Sequence, residues 1–200
     1  MKKSFVGIGT GRCGTLSLAV IVNACKNCFV SHENEKFLMP WDSDPKMNDL
    51  IEYLQPKNAG LWGDVSLTHN PRIYKLRQHI PDLKVVCLHR PKKEVVDSWK
   101  RWCCGDCLTI DRNNRSTQDK TWQARFPQFD TDDPEEGWGK WWELYENMTL
   151  EISNAFHIQT KELNSDNKLH ELFNYLEIPH QDRIFVPNRI HHSFNKVKLL

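Results

Sequence analysis

Apolar positions along the chain fall into short runs of strand length, separated by stretches with helical spacing. Ser4–Gly9 is a brief apolar run ending on glycine, the pattern of a buried strand. Thr15–Ala24 (TLSLAVIVNA) contains no breaker and predicts a helix. Cys28–Ser31 predicts a second strand and Gly60–Ser66 a third. Pro71–Ile80 predicts a helix with Pro71 in its first turn, where a missing N–H is tolerated. Lys84–His89 (KVVCLH) is apolar on both faces, as in a strand inside a parallel sheet. Pro91 opens a helix that runs to about Trp102, and residues 103–133, without periodicity, predict a long loop or lid insertion. Pro134–Ala155 places Trp138, Trp141, Trp142, Tyr145 and Met148 at helical spacing, which favours core packing over an exposed ligand wall. Phe156–Thr160 predicts the last strand and Lys168–Leu176 the last substantial helix. Strands alternating with helices imply a layered α/β domain on a mostly parallel sheet, whose ligand site lies beyond the carboxyl ends of the strands.

Composition narrows the function classes. The 200 residues suit one domain, 1–200, and the apolar (39%) and charged (26%) fractions are ordinary for a globular protein. A formal charge of +1 gives no overall field toward nucleic acid or an anionic membrane, so any anion must be held by locally placed groups. No run approaches the roughly 20 apolar residues of a membrane span. The opening Met1-Lys2-Lys3 and the apolar stretch to Cys25 imitate a leader, but Arg12 and the glycines at 7, 9, 11 and 14 break it, and a cytoplasmic chain is expected. Seven cysteines, an odd number without framework spacing, are expected as reduced thiols. Cys25/Cys28 and Cys104/Cys107 each have the spacing of half a zinc site, yet buried or loop thiols are the simpler expectation, and no metal site is assigned.

The first strand runs into Gly9-Thr10-Gly11-Arg12-Cys13-Gly14-Thr15-Leu16-Ser17, where a helix begins. Glycines let the backbone bring several N–H groups close to an anion, and the helix N-terminus adds unpaired donors and partial positive charge. Arg12 supplies a cationic fork, and the Thr15 and Ser17 hydroxyls add donors. Three anion chemistries compete. Gly9-x-Gly11-x-x-Gly14 matches the dinucleotide fingerprint, with Glu33 near the position of its ribose-binding acid. Gly9-x-x-x-x-Gly14 is also the frame of a nucleoside triphosphatase, but Thr15-Leu16 replaces the lysine and hydroxyl that hold magnesium and the terminal phosphates.

A second segment separates them. Val85-Val86-Cys87-Leu88-His89-Arg90-Pro91-Lys92-Lys93-Glu94-Val95-Val96-Asp97-Ser98-Trp99 delivers Arg90 to the end of a buried strand and Ser98 two turns along the next helix. Together they suit a second phosphate near the first loop, which neither nicotinamide nor triphosphate sites require. GTGRCGTLSL and HRPKKEVVDSW resemble the sulfotransferases that use 3′-phosphoadenosine 5′-phosphosulfate: the first segment looks like that family's 5′-phosphosulfate loop, the second like its 3′-phosphate motif. Ser31-His32-Glu33, Gly63-Asp64-Val65-Ser66, Thr160-Lys161-Glu162-Leu163 and Arg189-Ile190-His191-His192-Ser193 follow in the family's order, the last in place of its nucleotide-covering loop.

That resemblance implies a three-layer α/β/α fold, P-loop NTPase-like, and transfer of a sulfuryl group to an acceptor hydroxyl or amine by in-line displacement, with adenosine 3′,5′-bisphosphate as product. It implies donor contacts from Thr10, Gly11, Arg12, Cys13, Gly14, Thr15, Leu16 and Ser17, from Arg90 and Ser98, and from Arg189 and His191. Arg12 would stabilise developing charge; Glu33 is the first choice of general base and His32 the second. Asp64 either orients substrate or caps the next turn. The transferred group carries less charge than a phosphoryl group, so a metal is not obligatory. Cys13, Leu16 and Val65 depart from the family's commoner residues, and Val65 stands where many members have a lysine, which shifts charge stabilisation toward Arg12. Two rivals remain: an NAD(P)-dependent oxidoreductase, favoured only by glycine spacing, and a non-catalytic nucleotide-binding homologue. A small-molecule, carbohydrate or lipid acceptor is expected, with no nucleic-acid partner.

Overall fold

The computed structural model describes residues 2–55, 58, 60–103, 110–111, 115–116 and 124–186. Five strands, β1 (Lys2–Ile8), β2 (Cys28–His32), β3 (Gly60–Val65), β4 (Lys84–His89) and β7 (Ala155–Gln159), form one sheet in the order β2-β3-β1-β4-β7. All four pairings are parallel; Phe5 stands beside Gly63 on one side and Lys84 on the other. Between them run α1 (Thr15–Asn23), α2 (Met47–Leu54), α3 (Ile73–His79), α4 (Lys92–Cys103) and α5 (Pro134–Leu150), and α6 (Asp166–Tyr175) follows. The short strands β5 (Ile110–Asp111) and β6 (Arg115–Ser116) pair antiparallel within the expected insertion; residues 104–109, 112–114 and 117–123 lie outside the described residues.

Strand alternation sorts the core onto two faces. Phe5, Val86 and Leu88 join Leu18, Ile21 and Val22 of α1 and Leu169, Leu172 and Phe173 of α6. Val6, Ile8, Val85 and Cys87 point the other way, onto Leu50 and Leu54 of α2, Ile73 and Leu76 of α3, and Trp141 and Tyr145 of α5. A period of two along β1 and β4 therefore builds the three layers, helices on both faces of a parallel sheet.

Three elements differ from the sequence pattern. Pro71 lies inside a 3-10 turn, Leu67–Arg72, ahead of α3 rather than in α3's first turn; Ser66 caps that turn by accepting from the Thr68 amide. The helix expected to reach Ala155 stops at Leu150, because Ala155 starts β7. Met47–Leu54 forms a helix that the pattern left unassigned, burying Met47, Leu50 and Leu54. Among the described residues no helix is long and apolar enough to cross a membrane.

Candidate active site

β1 and β4 are neighbours, yet the chain leaves them in opposite directions, toward β2 and toward β7. In a parallel sheet that divergence opens a crevice at the strands' carboxyl ends. The glycine loop 9–14 leaves β1 there, and Arg90 leaves β4.

Every carbonyl oxygen of the loop accepts a hydrogen bond from the protein. Asn70 Nδ2 donates to Gly9 O (3.0 Å), Trp141 Nε1 to Thr10 O (2.9 Å) and Thr10 Oγ1 to Gly11 O (2.8 Å). Arg90 Nη1 donates to Arg12 O (2.7 Å), Thr160 Oγ1 to Cys13 O (2.6 Å), and the Leu18 amide to Gly14 O (3.0 Å). Carbonyls held by donors cannot swing toward an anion and repel it. Gly11 (φ 71) and Gly14 (φ 91) take left-handed conformations that glycine alone adopts at no cost, and Arg12 (φ 56) follows them. Gly14 is also the N-cap of α1 and gives no side-chain cap, and the first turn carries no acidic residue. Among the described residues no side chain caps the first-turn amides of Thr15, Leu16 and Ser17, and a helix N-terminus favours an anion there. A Cβ on Gly11 would stand 2.8 Å from the Trp99 ring, so the loop lies directly on α4.

The second segment meets the first. Arg12 Nε donates to Ser98 Oγ (3.3 Å), and Arg90 Nε is paired with Glu94 at 3.0 Å while its Nη1 reaches Arg12 O. Arg12, Arg90 and Ser98 therefore gather at one crevice. Thr10 and Cys13 are buried to 1% exposure, so their side chains face inward; burial pushes the Cys13 thiol up to about 11.

No family model matches the sequence, and no curated protein matches it. Among solved structures, the chain is similar to a sulfotransferase from Alicyclobacillus acidocaldarius, 15% identical with a TM-score of 0.59, over 94% of this chain and 85% of that one. At that identity the likeness shows the fold, a P-loop NTPase-like α/β/α sandwich, and what the site does rests on its own residues.

On the other flank, β2 ends at His32. His32 Nε2 lies 3.0 Å from Thr15 Oγ1, and burial lowers its pKa, so a neutral imidazole is tied to the first residue of α1. Glu33 follows directly on β2, its amide donating to Val65 O at the end of β3 (3.1 Å), with φ 46. Burial, reinforced by the charge of Asp64, pushes its carboxyl up to about 7, while Arg125 and Arg12 draw it down. Asp64 is fully buried, one oxygen accepting from Ser31 Oγ and the other 2.7 Å from His69 Nε2. Its two oxygens are thus taken by Ser31 and His69, and the cap of the next turn is Ser66 rather than Asp64.

The carbonyl-holding groups are what the sequence pattern did not single out. Besides Trp141 on Thr10, Trp142 Nε1 donates to Arg90 O (2.8 Å), Tyr145 OH to Ile8 O and Leu88 O (3.2 and 2.9 Å), and Thr160 Oγ1 to His89 O (3.1 Å). The signal was present: buried indoles and phenols need partners for their polar ends, and the ends of β1 and β4 are the nearest unpaired carbonyls. Trp138 and Trp141 are core residues, as their spacing implies. Cys13, Cys25, Cys28 and Cys87 are free thiols. Cys28 is pushed up to about 12 by burial, which leaves that thiol protonated and unreactive at neutral pH. Arg189, His191, Cys104 and Cys107 lie outside the described residues.

Proposed function

We propose that the chain transfers a sulfuryl group from 3′-phosphoadenosine 5′-phosphosulfate to an acceptor hydroxyl or amine. The supporting observation is the bond from Arg90 to the Arg12 carbonyl: it joins two anion-handling segments across one crevice, as a nucleotide with two separated phosphate groups demands.

The loop amides and the α1 N-terminus hold the 5′-phosphosulfate end, and Arg90 with Ser98 holds the 3′-phosphate. Glu33 accepts the acceptor's proton as the acceptor oxygen or nitrogen bonds to sulfur. The bond from sulfur to the 5′-phosphate oxygen breaks, and adenosine 3′,5′-bisphosphate leaves with that electron pair. Arg12 and the first-turn amides stabilise the charge that builds on the leaving oxygen. A carboxyl held near 7 is suited to this work, being both ionised and basic at neutral pH. His32, neutral and bonded to Thr15, positions the loop rather than taking the proton.

Isothermal titration comparing adenosine 3′,5′-bisphosphate with NAD, followed by transfer of labelled sulfate to phenol, sugar and lipid acceptors, tests this. Micromolar bisphosphate binding with label transfer is expected. NAD binding without bisphosphate binding returns the oxidoreductase, and bisphosphate binding without transfer to any acceptor returns the non-catalytic homologue.

A further inference from the structure

Of the nitrogens in the Arg90 fork, two already have protein partners. Nε donates to Glu94 Oε2 at 3.0 Å, one turn into α4, and Nη1 donates to Arg12 O at 2.7 Å. Among the described residues Nη2 donates to no protein atom. One of its N–H bonds runs parallel to the Nε–H, the edge on which a guanidinium holds two oxygens side by side. An anion that accepts there sets one of its oxygens directly against the Glu94 carboxylate. Two fully ionised oxygens at that spacing repel, whereas a proton between them turns the contact into a short, strong hydrogen bond. A phosphate monoester, with its second pKa of about 6, keeps such a proton at little cost near neutral pH. A sulfate ester or a phosphosulfate has no oxygen that binds a proton in that range.

We propose that Glu94 is a specificity-determining residue, which favours at Arg90 an anion that carries a proton and so selects a phosphate monoester over a sulfated group. The P–O–H of that phosphate donates to Glu94 while Arg90 Nη2 donates to a neighbouring oxygen. The inference rests on the sulfuryl-transfer reading, whose donor has one end of each kind, and Glu94 then decides which way round the donor lies. The other charges near the pair are Arg12 across the crevice, Lys93 with Asp97 along α4, and Lys92 with Glu143 of α5. His89, which precedes Arg90, is bonded to Glu146 and His157. Glu94 itself is 57% exposed in its side chain, so exchanging it leaves the core untouched.

Titration calorimetry on the full chain, with adenosine 3′-phosphate and adenosine 3′-sulfate as probes, compares the parent with Glu94→Gln. Glutamine keeps an oxygen for Arg90 Nε but sets no charge against an anion. The variant is expected to gain affinity for the sulfate by about 5-fold or more, the effect of removing one adjacent like charge. The ratio of parent to variant affinity for the phosphate is expected to fall about 10-fold or more from about pH 6.5 to about pH 8, as the phosphate loses its own proton. Every other titrating group is common to both proteins and cancels in that ratio. An unchanged sulfate affinity, or a ratio flat with pH, overturns the role of Glu94 and leaves the sulfuryl-transfer reading standing. Weaker binding of both nucleotides by the variant overturns it too, since Glu94 would then serve only to hold Arg90 in place. A parent that binds neither nucleotide at millimolar concentration overturns the inference and the reading together.

Discussion

The guanidinium of Arg90, at the end of β4, donates through Nη1 to the backbone carbonyl of Arg12, 2.7 Å away in the loop that follows β1. One side chain thus orients the opposite segment while its own charge stays at the crevice, its Nε balanced by Glu94. Arg90→Ala is expected to weaken adenosine 3′,5′-bisphosphate binding by about 10- to 100-fold, the range of a lost charge-assisted bond. Arg90→Lys restores little, because an ammonium cannot serve Glu94, Arg12 O and a phosphate from one planar fork. Titration of both variants with the bisphosphate measures this; parental affinity in Arg90→Ala removes the residue from the site.

Trp141 and Trp138 separate the worth of a bond from the worth of a ring. Both are buried, but Trp141 Nε1 holds Thr10 O whereas Trp138 Nε1 has no hydrogen-bond partner among the described residues. Phenylalanine at either position shortens the ring, and only at 141 does it also orphan a buried carbonyl in the loop. Trp141→Phe is expected to cost about 1–3 kcal/mol more than Trp138→Phe in urea unfolding, and to weaken bisphosphate binding where Trp138→Phe does not. Equal costs would show that the indole N–H does not hold the loop.

Gly11→Ala tests the loop's backbone directly. At φ 71 a side chain is strained by about 1–2 kcal/mol, and its Cβ meets the Trp99 ring at 2.8 Å. The variant is expected to lower the melting temperature and to lose most bisphosphate affinity together, since α4 or the loop must shift. A variant melting and binding like the parent would mean that the loop does not need its left-handed turn.

These contacts also mark where reading the chain stops. KVVCLH coincides with β4, Lys84–His89, because an apolar run of that length with both faces buried has few alternatives. Glycines 9, 11 and 14 between a strand and a helix located the loop for the same local reason. MNDLIEYL forms α2 although eight residues barely sustain a helix alone; it is held by Met47, Leu50 and Leu54 entering the core, a tertiary cause. Trp141 and Thr10 lie 131 positions apart, and no periodicity relates them. The proton affinity of Glu33 likewise depends on Asp64 arriving on a neighbouring strand.

Glu33 carries the pH dependence, and its sign differs between activity and stability. Burial and the charge of Asp64 push its carboxyl up to about 7, against about 4.3 in an unfolded chain. As base it must be ionised, so kcat/KM is expected to climb with pH and level off above about 7. Glu33→Gln removes that limb and lowers turnover by about 10²- to 10⁴-fold while bisphosphate affinity stays near parental. Stability runs the other way. Between about 4.3 and about 7 the folded chain holds a proton at Glu33 that the unfolded chain has already released, so unfolding free energy falls as pH rises across that window. Glutamine has no proton to lose. Relative to the parent, Glu33→Gln should therefore gain melting temperature steadily from about pH 4.3 to about pH 7 and hold the advantage above it. Paired melting curves across that range read this without any acceptor or donor. A difference that stays flat with pH would mean the carboxyl is as comfortable folded as unfolded, and a Glu33 of that kind would be largely ionised at neutral pH but too weakly basic for the role assigned to it.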